Sequence, residues 1–138
     1  MNSKEQSIGF LAMRKESKVA IFIGAFYLCV GIMLGAFAAH GLKDILNEYQ
    51  MDILQTGVKY QLIHGVALLI LGLLCSLYQQ RLFYVALVCI ALGVALFSFS
   101  LYAIAFLGIS VLGIITPIGG VFMISGWLIT MYAVFRNK

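Results

Sequence analysis

Between Leu82 and Phe135 the chain reads LFYVALVCIALGVALFSFSLYAIAFLGISVLGIITPIGGVFMISGWLITMYAVF, without one Asp, Glu, Lys or Arg. As a single helix this run would extend about 80 Å, well over twice the roughly 30 Å hydrocarbon core of a bilayer. It has to fold back. Two places offer a turn: Leu107-Gly108-Ile109-Ser110, and Thr116-Pro117-Ile118-Gly119-Gly120, which holds the chain's one proline. A turn near Gly108 leaves two halves of about 25 residues, whereas a turn at Pro117 leaves a last half of about 15, too short to span. The predicted third and fourth helices are therefore Leu82 to Phe106 and Ser110 to Phe135. Pro117 falls inside the fourth, where its ring is expected to crowd the Gly113 carbonyl and kink the backbone.

Working outward, two more runs have the length and composition of a span. Val19 to Ala39 carries no charge, and neither does Leu62 to Tyr78. The predicted fold is an all-α membrane protein with four transmembrane helices at about 19–40, 60–79, 82–106 and 110–135. Residues 1–18 form a polar N-terminal tail and 19–138 a single transmembrane domain. The first helix is expected to be retained and not to act as a signal peptide, since the stretch before it, Met1 to Lys18, is polar and mixed in charge. Composition agrees: of 138 residues 63% are hydrophobic and 10% charged, too little polar character to cover a water-soluble domain.

Lysine and arginine set the expected orientation, since cytoplasmic flanks carry the excess. Lys4, Arg14, Lys15 and Lys18 precede the first span, Arg81 follows the second, and Arg136 and Lys138 follow the fourth. Both termini are thus expected in the cytoplasm. The opposite side holds the link from His40 to Lys59, in which Ile45, Leu46, Tyr49 and Ile53 alternate at helical period with Asp44, Asn47, Glu48 and Asp52. That pattern predicts an amphipathic outer helix at about 44–57. The net charge of +4 does not indicate a nucleic-acid partner, because the basic residues sit at span ends and are not clustered with exposed aromatics.

Small residues mark where helices meet, because lipid offers no hydrophobic contrast and close backbone approach takes over. Gly31, Gly35 and Ala39 step along the first helix, with Gly24 one heptad before Gly31. Gly65 and Gly72 lie a heptad apart on the second helix, as do Gly119 and Gly126 on the fourth. Cys29, Cys75 and Cys89 lie inside apolar runs with no CxxC pair, and read as small core residues.

Ionisable groups are costly in a span, so His64 is the first candidate for function. His40, Lys43, Lys59, Tyr60, Gln61 and His64 are expected to gather at the outer ends of the first two helices as a polar site, responsive to protons or binding an anion. The plainer alternative is that both imidazoles stay neutral and bond to neighbouring helices as structural glue. Two histidines without a cysteine nearby fall short of zinc's three or four ligands, so no metal is expected. Ser98, Ser100, Tyr102, Thr116 and Ser125 would line a narrow polar path, or bond to backbone carbonyls. Trp127, Tyr132, Tyr78 and Tyr84 are expected as interfacial anchors. No GxSxG, HExxH or phosphate-binding glycine loop is present. Catalysis has the weakest support, and no cofactor is implied.

Three segments carry a family resemblance: Gly35-Ala36-Phe37-Ala38-Ala39-His40-Gly41-Leu42-Lys43, then Val58 to Leu68 (VKYQLIHGVAL), then Ile115 to Gly120 (ITPIGG) with Gly126-Trp127. With Phe97 to Tyr102 (FSFSLY) in between, the order and spacing resemble the domain-of-unknown-function 423 family of small bacterial inner-membrane proteins, related to small membrane proteins of animals. The resemblance implies a compact multi-span protein of the inner membrane and brings no reaction or site residues with it. The N-terminal tail lies outside it. Sequence therefore points to a non-catalytic packing or accessory module, as a homo-oligomer or within a larger membrane complex. The rival expectation is a small channel or transporter for a proton, an anion or a small polar solute.

Overall fold

The uncharged runs become helices, and the places where glycine, proline and polar residues gather become the turns. In the computed structural model, which describes residues 13–78 and 81–136, α1 spans Lys15–His40, α2 Glu48–Tyr78, α3 Arg81–Leu107 and α4 Ile115–Arg136. A 3₁₀ turn at Ser110–Ile114 leads into α4. With that turn, all four are long and apolar enough to cross a membrane. Helix α1 begins at Lys15, so the end of the expected tail is already helical; residues 1–12 of that tail lie outside the described residues.

The hairpin between the third and fourth spans falls where length placed it. Gly108 adopts φ 68°, a left-handed conformation that glycine enters without steric cost, and its amide closes α3 on the Ile104 carbonyl at 3.0 Å. Pro117 does something other than expected. The α-helix proper starts only at Ile115, so Pro117 sits in its first turn, where amides have no intrahelical acceptor. The proline opens α4 after the 3₁₀ turn; it does not kink a continuous helix.

The amphipathic outer segment also differs. Residues 41–46 are turns, and the helix that follows is continuous with the second span. Asn47 caps it: its Oδ1 accepts the Gln50 amide at 2.9 Å, and Gln50 Oε1 accepts the Asn47 amide at 3.0 Å, a reciprocal capping box. Leu46, Met51, Leu54 and Val58 turn inward, while Ile45 and Tyr49, expected on the packed face, point outward. The polar side of this segment therefore rides on the first turns of α2.

Each helix packs along the next, α1 on α2, α2 on α3 and α3 on α4. Helix α1 touches α3 at a few positions, and no packed pair joins α1 to α4 among the described residues. One apolar cluster fills the half nearer Lys15, Arg81 and Arg136, with Leu68, Leu71, Phe83, Ile90 and Met123 among its members. The other, around Leu54, Val58, Tyr102 and Ala105, fills the half nearer the Gly108 turn. These ends are called here the basic end and the loop end. Outside, Phe22, Ile32, Ile70, Leu92, Val121 and Leu128 are exposed, while Gln61 and Ser98 are wholly buried. A water-soluble protein does the reverse; a lipid solvent accounts for this distribution.

The predicted small-residue faces meet partners within the chain. A Cβ on Gly24 would lie 2.8 Å from the Gly65 carbonyl, and one on Gly31 2.7 Å from the Leu62 side chain. Gly72 faces Ala20 and Ile21, and Gly126 faces Ile90. On α1 the buried steps are Gly24, Gly31 and Ala38; Ala39 is exposed, one position off that face. Cys75 is buried and Cys89 half-buried, but Cys29 faces outward and is no core residue.

Candidate functional site

The buried polar groups converge on Gln61, near the middle of α2. Its Nε2 donates to the Tyr27 carbonyl of α1 at 2.8 Å, and its Oε1 accepts from the Tyr102 hydroxyl of α3 at 2.7 Å. These two partners fix the orientation of the amide, because a carbonyl only accepts and the phenol hydrogen needs an acceptor. The side chain reaches α1 beside Gly31, where a Cβ would stand 3.7 Å from Nε2. One turn toward the loop end, Ser98 donates to the Gly57 carbonyl at 2.9 Å, and the Tyr102 ring lies against the open flank of Gly57. The Tyr27 hydroxyl donates to the Ala91 carbonyl at 2.9 Å and so ties α1 to α3.

His64 forms the second hub. Its Nδ1 lies 2.8 Å from the Tyr60 carbonyl of its own helix, and its Nε2 lies 3.2 Å from Trp127 Nε1 of α4. The carbonyl can only accept and the indole can only donate, so Nδ1 carries the hydrogen and Nε2 the lone pair. The imidazole is thereby neutral. A proton on Nε2 would set N–H against N–H and break the only side-chain hydrogen bond between α2 and α4 among the described residues. Tyr60 lies parallel to the imidazole, and its ring packs on Phe97 with centroids 4.6 Å apart.

Between α3 and α4, Ser100 donates to the Phe97 carbonyl at 2.8 Å and so accepts from the Thr116 hydroxyl at 2.7 Å. Ser98, Ser100 and Tyr102 thus bond to backbone or to a neighbouring helix and do not line an open path. Ser17, buried at the basic end of α1, is the exception. Its hydroxyl is the one buried side-chain polar atom without a partner among the described residues.

The expected polar site divides in three. Gln61 and His64 enter the interior with Tyr60 at its edge; His40 and Lys43 lie exposed at the rim; Lys59 faces outward from α2. The shared depth assigned to His40 and His64 is not found. Because Gly35 packs beside Val58 and Gly24 beside Gly65, His40 lies on the rim side of that register and His64 on the core side. Helical rise then separates them by about 16 Å. No three His, Cys, Asp or Glu groups stand close enough to hold a metal ion among the described residues.

Three members of the buried network were not singled out as site residues. Tyr27 was hidden inside an apolar run. Tyr102 was read with the serines of a polar path. Trp127 was read as an interfacial anchor, yet its indole nitrogen reaches inward to His64. The usable signal was its place between Gly126 and the end of the span, too far from Arg136 for an anchor at the basic end. Outside the network, a groove of about 400 Å³ runs between α1 and α2 on the outer surface, with Gly35, Ala38 and Ala39 on one wall and Val58, Leu62 and Ile63 on the other.

Comparison with known proteins places this arrangement in a family. A family model described as a protein of unknown function, DUF423, matches residues 34–120, which include Gln61, His64, Ser98 and Tyr102. A UPF0382 membrane protein of Staphylococcus epidermidis is 38% identical over 119 residues, covering 86% of this chain and 97% of the relative. One from Haemophilus influenzae is 36% identical over 126 residues, covering 91% and 98%. The UPF0382 inner membrane protein YgdD of Escherichia coli K12 is 36% identical over 125 residues, covering 88% and 93%. No solved structure matches the chain. Four apolar helices, an inward-facing polar network and these relatives together make the chain a membrane protein of the DUF423 family.

Proposed function

We propose that the chain is a non-catalytic packing or accessory module of the bacterial inner membrane, working as a homo-oligomer or within a larger membrane complex. The observation that carries this reading is the closure of the polar network. Gln61 and His64, the two groups best suited to handle a solute or a proton, have their bonding atoms taken by Tyr27, Tyr102, Tyr60 and Trp127 of the same chain. A transport path needs polar groups that exchange partners with a solute, whereas these groups tie helices together. The open row of helices supports the same reading, because α1 and α4 do not close on each other among the described residues and so leave room for a neighbouring helix on either side. The excess of lysine and arginine at the basic end supports cytoplasmic termini.

Flux into sealed vesicles carrying the purified chain tests the reading against the channel alternative. Proton, chloride and glycerol entry are expected to equal those of empty vesicles, with or without His64→Ala. Flux above that of empty vesicles that disappears in His64→Ala overturns the reading. Extraction from native membranes in mild detergent is expected to yield a species larger than one chain, and a lone monomer would count against the module. Reporter fusions at either terminus are expected to be active on the cytoplasmic side; activity on the opposite side reverses the assigned topology.

A further inference from the structure

We infer that the groove between α1 and α2 is a seat for an anionic phospholipid, with its phosphate held by Lys59 and one acyl chain lying along Gly35 and Leu62. Three observations lead there. The first is the cation. Lys59 pairs with no carboxylate among the described residues, yet it stands at the edge of the hydrocarbon. From Lys59 to Tyr78 the helix rises about 28 Å, nearly the full roughly 30 Å of the core, while α1 continues only about 7 Å past the level of Gly35 to its end at His40. A lysine at that depth extends its ammonium to the headgroup level, where phosphate is the anion that the bilayer supplies.

The second observation is the room beside it. Gly24 and Gly31 are small because a Cβ would strike the second helix at 2.8 and 2.7 Å. Gly35 has no such reason. A Cβ there would meet only Val58 at 3.5 Å, an ordinary contact, so helix packing does not require glycine at this position. What its missing side chain provides, together with Ala38 and Ala39, is the groove. The third is the arrangement along the groove. Gln55 and Lys59, one helical turn apart on one face of α2, form its polar part, while Leu62 and Ile63 continue it as an apolar trough toward the core. Polar head above and hydrocarbon below is the order in which a phospholipid presents itself. The open, shallow shape suits a chain lying along a surface and not an enclosed solute.

Retention of lipid by the full-length chain tests the inference. Native mass spectrometry from mild detergent, with phosphatidylglycerol and phosphatidylcholine of equal acyl length, is expected to show about a five-fold preference for phosphatidylglycerol, the factor of one lysine at an anionic surface. Lys59→Gln is expected to abolish the preference, lowering phosphatidylglycerol retention by more than phosphatidylcholine retention, because the choline cation already offsets the phosphate in the latter. Gly35→Leu, which fills the trough, is expected to lower retention of both lipids, and Gly35→Ala to do so in part. Lys43→Gln, outside the groove, should change neither. Helical circular dichroism reports whether each variant is folded. Equal retention of the two lipids by the wild-type chain, or a preference that survives Lys59→Gln in a folded protein, overturns the inference. Displacement of phosphatidylglycerol by inorganic phosphate also does so, since the trough would then play no part.

Discussion

The seams on either side of α3 are built by different means. Against α4 the closest approach is backbone on backbone, with the Ser100–Thr116 hydroxyl pair at one end: a Cβ on Gly119 would lie 2.5 Å from the Phe97 amide nitrogen, and one on Gly93 2.8 Å from the Met123 amide. Against α2 the contact is made by side chains reaching across, Tyr102 to Gln61 and Ser98 to the Gly57 carbonyl. Both solve the same problem, because lipid tails are as apolar as any leucine face and burial alone brings helices no closer. Glycine solves it by removing the spacer, polar groups by finding in each other the partner that lipid withholds. The first fixes how near two helices come; the second fixes their register, since a hydrogen bond tolerates little sliding.

The glycine seam should be the more fragile. Gly119→Leu sets a side chain against immovable backbone and is expected to cost about 3 kcal/mol, the upper part of the range for overpacking. Unfolding in mixed detergent and dodecyl sulfate measures it, and a loss under about 1 kcal/mol would show that α4 can move away at little cost. Gln61→Leu comes next. It leaves the Tyr102 hydroxyl unpaired in the interior, a loss of about 1–3 kcal/mol, and Tyr102→Phe in the same chain should restore much of it. Additive losses from the two substitutions would mean that the pair is not coupled.

Trp127→Phe removes the hydrogen bond to His64 and some ring bulk on a partly exposed face, and should cost about 0.6 kcal/mol for the bond, the average measured for such bonds in membranes. A larger loss would place the strength of the α2 to α4 link in this one contact. Ser17→Ala runs the other way. It deletes a buried hydroxyl without a partner among the described residues and is expected to leave stability unchanged or raise it by up to about 1 kcal/mol. A clear loss would reveal a partner for that hydroxyl.

Span count and the Gly108 hairpin were legible because they rest on length and charge, which a single sequence displays in full. The glycine seams were legible in part. Gly31, Gly65, Gly72, Gly119 and Gly126 were placed on packing faces, but Gly93 was passed over because no second glycine lies a heptad from it, only Ala86 and Ser100. Ala39 was chosen over Ala38 because a four-residue step and a seven-residue step diverge by one position within two turns. Pro117 misled because hydropathy does not show where a 3₁₀ turn gives way to an α-helix, and that boundary decides whether a proline bends a helix or begins one. The polar site was the least legible. Its hubs, Gln61 and His64, were named, but His40 was added by assuming that histidines near two span ends lie level. The extra turns of α2 beyond the Asn47 cap break that assumption. Trp127 joins His64 across two helices that are not neighbours in sequence, a relation that no periodicity carries.

The turn at Gly108 also bears on how the protein enters its membrane. From Leu82 to Phe135 nothing carries a charge, and the connection itself is only Gly108-Ile109 ahead of the 3₁₀ turn. A lysine or aspartate at the middle of a span resists insertion by about 2.5–3.5 kcal/mol, and a charged tip would meet a barrier of that kind while crossing. This tip meets none. With the basic end cytoplasmic, as proposed, helices α3 and α4 can pair through Gly93 and Gly119 and cross the bilayer together as one pin, with Arg81 and Arg136 left behind as its two stops.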